Sequence, residues 1–199
     1  MRVSPGFFAT LALALAVGPI ALTGAVLAAA AMHEGGHLLA LRLCRVPVEG
    51  VRLGAFGAEI RAPGAARLSY GRELAVTLAG PAVNLLAAPL LAAVSLRADW
   101  AWGFLFAGVH LLLGLYNLLP VPPLDGSRAL RLVTACCFGP TAGDAAADAA
   151  GLLFALALVA LGAYLLLAAD GGALLLIAAL GLLWDAARQV GLAKRGTGV

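Results

Sequence analysis

His33, Glu34 and His37 spell His-Glu-Gly-Gly-His. On a helix this spacing sets two imidazoles on one face with a carboxylate beside them, a ligand pair and a general base for zinc-assisted hydrolysis. At about 100° per residue the two histidines fall about 40° apart and Glu34 about 60° beyond His37, so one face carries all three. The surrounding run from Ile20 to Leu43 is otherwise largely apolar and long enough to cross a bilayer. A charged side chain at the centre of such a helix costs roughly 2.5 kcal/mol or more on insertion scales, so a compensating partner is expected. A metal ion is the simplest one.

Two histidines leave a catalytic zinc site one protein ligand short. His110 and Asp125 are the candidates, and Asp125 is the better one. It follows Asn117-Leu118-Leu119-Pro120-Val121-Pro122-Pro123-Leu124, where prolines end a helix and leave irregular backbone at membrane depth. His37 and His33 lie about 9 and 15 Å below the helix end at Leu43, a depth Asp125 reaches if the proline segment folds back. His110 reads as a structural hydrogen-bonding residue. Zn2+ held by this set lowers the pKa of a bound water toward ~7 and polarises a carbonyl, while Glu34 takes the proton and passes it to the leaving amine. Asn84 and Asn117 are candidates for binding the substrate backbone or the developing oxyanion, and equally for hydrogen bonds between helices.

These residues need elements to position them. The 199-residue chain is 63% hydrophobic and 12% charged, with mean hydropathy +1.01, which is a membrane composition. The run from Phe7 to Leu43 is too long for one span, and Gly18-Pro19 is the natural break. The reading is an all-α polytopic membrane protein, one domain over 1–199 with core motifs at 33–126. It has about six transmembrane helices, near 5–17, 19–43, 74–96, 100–121, 149–169 and 173–187. With this layout twelve of the thirteen Lys and Arg residues share one side and Arg97 alone lies on the other, so both termini are expected in the cytoplasm of a multi-pass cell-membrane protein. The basic balance thus reports topology and gives no support for nucleic-acid binding. A cleaved leader over 1–30 is not expected, because it would truncate the span that carries the motif. Cys44, Cys136 and Cys137 form no framework and read as free thiols.

Between the second and third spans, residues 51–61 alternate roughly and carry two glycines, which suits a short hairpin or edge strand. It is either a surface loop or a strand whose free edge pairs with an extended peptide, and in the second case Phe56 and Gly57 are candidate substrate-binding residues. Gly80-Pro81 calls for a bend or close packing in the third span. Residues 139–150, rich in Ala and Asp, read as a loop.

Three ordered segments carry a resemblance: His33-Glu34-Gly35-Gly36-His37, Ala79-Gly80-Pro81-Ala82-Val83-Asn84, and Asn117-Leu118-Leu119-Pro120-Val121-Pro122-Pro123-Leu124-Asp125-Gly126. Together they resemble the motifs of the site-2 proteases, zinc metalloproteases that cleave within or beside transmembrane segments. The resemblance covers roughly residues 5–135. It implies His33, His37 and Asp125 as zinc ligands, Glu34 as catalytic base, a membrane-tethered protein as substrate and a regulatory membrane protein as partner. The short first span looks most like the branch of stage IV sporulation protein FB, which implies a sporulation sigma-factor precursor as substrate. Within these residues there is room neither for that branch's nucleotide-sensing domain nor for the peptide-binding insertion of other branches, so regulation and substrate choice are not carried over. Gly35 and Ser127 depart from the usual pattern without touching a metal ligand. The competing reading is a metal-binding membrane transporter or a catalytically silent scaffold.

Overall fold

A computed structural model describes residues 2–54, 57–168 and 172–196. The chain falls into two compact units, 1–116 and 117–199.

The first unit opens with strand β1 (Arg2–Val3) and helices α1 (Pro5–Val17) and α2 (Ile20–Leu43). The break lies at Gly18-Pro19 as expected, since proline cannot donate to a preceding turn and caps α2 from outside. The expected hairpin is present: β2 (Gly50–Gly54) pairs antiparallel with β3 (Gly57–Arg61), from Gly50 opposite Arg61 to Gly54 opposite Gly57. β1 adds in parallel to β2, giving the order β1-β2-β3 and leaving β3 at an edge. A two-residue strand is too short to show periodicity, so β1 was not foreseen. A 3-10 turn (Pro63–Arg67) leads to helices α3 (Tyr70–Ala98) and α4 (Ala101–Asn117). Leu41, Val46 and Val76 form a buried cluster flanked by Ile60, Ala62 and Leu68, which ties the base of α2 to α3 and the hairpin.

α2 and α3 pack closely because Gly36 has no side chain. A Cβ there would lie 2.6 Å from the carbonyl oxygen of Ala79 and 3.0 Å from Val83 Cγ2. Pro81 sits inside α3 and removes the amide that the Thr77 carbonyl would otherwise accept. The Thr77 hydroxyl is buried with no hydrogen-bond partner among the described residues. Thr77→Val keeps the shape and removes a dehydrated donor, so stability is expected to hold or rise by up to about 1 kcal/mol. Reversible unfolding in detergent measures this, and a loss of that size would show the hydroxyl to be satisfied.

The second unit contains α5 (Asp125–Phe138), α6 (Pro140–Ala168) and α7 (Ala173–Gly196). Two expectations need correcting. The proline segment is followed by a helix, α5, with the acidic Asp125 in its first turn, where the helix dipole favours negative charge. Residues 140–150 are not a loop but the first turns of α6, because alanine is the best helix former and Pro140 suits a helix start. One stripe of α6, Gly143, Ala147, Gly151 and Ala155, is buried at intervals of four. It lets neighbouring backbone close in: a Cβ on Gly143 would meet the Arg131 carbonyl oxygen at 2.6 Å, and one on Gly151 would meet Pro122 Cδ at 2.7 Å. Val121, Leu124, Ala155 and Leu182 form the core of this unit.

Among the described residues, α3 and α6 are the two helices long and apolar enough to cross a membrane, each 29 residues or about 44 Å. α1 and α4 are shorter apolar helices. α2 has 24 residues, but the polar motif within it lowers its hydropathy. Length and hydropathy therefore single out two spans where six were expected.

Candidate functional site

His33 and His37 stand one turn apart on α2, held against α3. The carbonyl of Val76 can only accept, so the His37 Nδ1 at 2.8 Å from it carries the proton and donates. The neutral ring then presents a bare Nε2 lone pair. That atom lies 3.2 Å from His33 Nε2, with the rings edge to face at 78°. Two zinc–nitrogen bonds of about 2.0–2.1 Å at a tetrahedral angle place their nitrogens about 3.3 Å apart. The observed spacing fits an ion shared by both rings.

Gly80 on α3 forms the floor of this space. A Cβ built there would fall 2.8 Å from His33 Nε2 and against His37 Nε2, which is volume that any larger residue would fill. His33 is 5% exposed. Its Nδ1 lies 3.4 Å from Asn84 Nδ2, and the other end of that amide, Oδ1, lies 3.0 Å from His110 Nδ1. Asn84 and His110 are 0% and 1% exposed. Asn84, expected either to meet substrate or to hydrogen-bond between helices, has its amide engaged by two histidines. His110 has the hydrogen-bonding role expected of it.

Asp125 starts α5, and its neighbour Gly126 admits the chain just before it: a Cβ on Gly126 would collide with the Leu118 carbonyl and come 2.5 Å from the Leu119 oxygen. The turn is closed by backbone bonds from Val121 N to Leu119 O at 2.8 Å and from Leu124 N to Val121 O at 2.9 Å. His33 and His37 lie in the first unit and Asp125 in the second, and the three side chains offer two ring nitrogens and one carboxylate. Two imidazole nitrogens and one carboxylate oxygen match a catalytic zinc's three protein ligands, with a fourth position open.

Glu34 is half-buried beside His33 on α2. Asn117 ends α4. Gly57 begins β3, and Phe56 lies outside the described residues. Sequence reasoning did not assign Val76, whose part is played by a carbonyl that no side-chain pattern marks. Gly80 was flagged only for close approach, and its two ring neighbours lie on another helix.

No protein-family model matches the chain. Two Mycobacterium tuberculosis proteins are similar in sequence. "Putative zinc metalloprotease Rip3" is 36% identical over 153 residues, covering 70% of this chain and 38% of that protein. "Putative zinc metalloprotease Rip2" is 46% identical over 71 residues, covering 32% and 27% respectively. The chain therefore spans less than two fifths of the length of these curated relatives. Among solved structures, the site-2 protease from Methanocaldococcus jannaschii superposes with a TM-score of 0.69 at 23% identity, over 94% of this chain and 88% of that one. The chain has the fold of a site-2 protease.

Proposed function

We propose that this chain is an intramembrane zinc endopeptidase that hydrolyses peptide bonds in or next to the transmembrane segments of a membrane-tethered protein. The observation that carries the proposal is the pair of imidazole nitrogens 3.2 Å apart, one of them left bare because its ring donates the Nδ1 proton to the Val76 carbonyl. Similarity to proteins named as zinc metalloproteases and the site-2 protease fold support it. His33, His37 and Asp125 would hold Zn2+, which supplies Lewis-acid chemistry when bound. Glu34 accepts the proton of the attacking water on its carboxylate and delivers it to the nitrogen of the leaving amine. Asn117 steadies the substrate backbone. The outer edge of β3, starting at Gly57, pairs with substrate that has unwound, since an intact helix keeps its carbonyls in internal hydrogen bonds.

We place the whole chain in one catalytic domain with six crossings and cytoplasmic termini, on the one-sided distribution of its basic residues. The narrower reading, a sporulation sigma-factor precursor as substrate under the control of a membrane partner, rests on motif resemblance alone. The test uses purified chain reconstituted in lipid with a panel of membrane-tethered reporters, such a precursor included. About one zinc per chain and release of a fragment cut within or beside a span are expected, with both lost in Asp125→Ala. Zinc bound without cleavage of any reporter would favour a transporter or scaffold, and a metal-free wild type would overturn the proposal.

A further inference from the structure

His33, Asn84 and His110 form a buried chain of hydrogen bonds from α2 through α3 to α4, and its direction bears on metal binding. With the amide as placed, Asn84 Oδ1 accepts from His110 Nδ1–H at 3.0 Å and Asn84 Nδ2 donates to His33 Nδ1 at 3.4 Å. A neutral His33 then carries its proton on Nε2, the atom facing His37 Nε2 at 3.2 Å. A protonated Nε2 cannot ligate a metal. For both rings to offer Nε2, His33 must hold its proton on Nδ1 and needs an acceptor there.

Asn84 supplies that acceptor by a half-turn of its amide, whose two ends have the same shape. Oδ1 then accepts from His33 Nδ1–H and Nδ2 points at His110. His110 must now accept on Nδ1, which moves its own proton to Nε2. We infer that His110 is a positioning residue: by accepting from Asn84 on Nδ1, it holds the amide oxygen toward His33 and so keeps the metal-binding nitrogen of His33 bare. No proton is gained or lost overall, since each imidazole keeps one and the amide keeps two. The inference rests on the zinc reading above and concerns this chain's own residues. Hydrogen bonds that orient a ligating histidine are worth about 10- to 100-fold in metal affinity.

The chain has three histidines, so ring-labelled protein yields six imidazole nitrogens, assigned by single substitutions. In the zinc-loaded protein, nitrogen NMR is expected to show His33 and His37 protonated on Nδ1 and His110 protonated on Nε2. A zinc-loaded protein with His110 protonated on Nδ1 would overturn the inference. Zinc affinity by chelator competition gives a second readout: His110→Leu should weaken binding about 10-fold or more, and His110→Asn, with an acceptor near the same place, should recover to within about threefold of wild type. Equal affinity in wild type and His110→Leu also overturns it. Should His110→Leu fail to fold, the His110→Asn affinity and the wild-type spectrum still decide. A wild type that binds no zinc refutes the underlying reading instead, which separates the two failures.

Discussion

Glu34→Gln is expected to retain zinc at wild-type stoichiometry and to lose about 10²- to 10⁴-fold in turnover, the usual contribution of a positioned general base. At 1.36 kcal/mol per decade this is roughly 3 to 5 kcal/mol of transition-state stabilisation. Glutamine keeps the length and shape of the side chain and removes its ability to accept a proton. Glu34 lies outside the proposed ligand set His33, His37 and Asp125, so the substitution leaves those three donors untouched. Fragment release from a membrane-tethered reporter, with metal content measured on the same preparation, checks both halves. A variant that cleaves at the wild-type rate sinks the assignment. So does one that loses its metal, which would make the carboxylate a ligand. A transporter built on the same histidines would have little need for a base at this position.

Gly80→Ala is expected to abolish zinc binding, with an affinity loss of at least about 100-fold, and activity with it. The added methyl would stand 2.8 Å from His33 Nε2 and press on His37 Nε2, inside the volume an ion would share. Overpacking ordinarily costs about 1–3 kcal/mol because neighbours yield. Here the neighbours are rings held from behind, His37 by the Val76 carbonyl and His33 by Asn84, so giving way means abandoning the ligand geometry. Gly35→Ala is the matched control. Nothing lies within 4 Å of a Cβ at Gly35, and alanine in a helix gains up to about 1 kcal/mol over glycine. Chelator competition and cobalt absorption spectra on both variants test the pair. Wild-type zinc affinity in Gly80→Ala would show that the ion does not sit against α3.

The local parts of this arrangement were legible in the sequence. His33, Glu34 and His37 lie within five residues, and helix periodicity alone sets them on one face. Gly18-Pro19 marked the α1–α2 break and the alternation over 51–61 marked the hairpin, because proline chemistry and the two-residue strand repeat act over a few residues. α5 was missed because the prolines before it were read as the start of irregular backbone. Its signal is an acidic residue at the first helical position, just after the prolines, the pattern of a helix start. The beginning of α6 is obscured for a related reason: Asp, Gly and Thr among the alanines suggest a loop, although alanine itself favours helix. The chain from His33 through Asn84 to His110 spans separations of 51 and 26 residues. No spacing rule reaches so far, so the sequence leaves Asn84 equally a substrate binder and an inter-helix hydrogen-bonding residue, and the structure shows the second contact.

The bare stripe along α6 has a bearing on where inactivating changes will be found. Gly151 closes against Pro122, three residues ahead of Asp125, so the carboxylate's station depends on an atom that position 151 lacks. Adding one methyl there, a single-nucleotide change from a glycine codon, would shove the proline turn and misplace an acid that the substitution never touches. Screens for loss of function should thus recover lesions in a helix that bears none of the reactive groups.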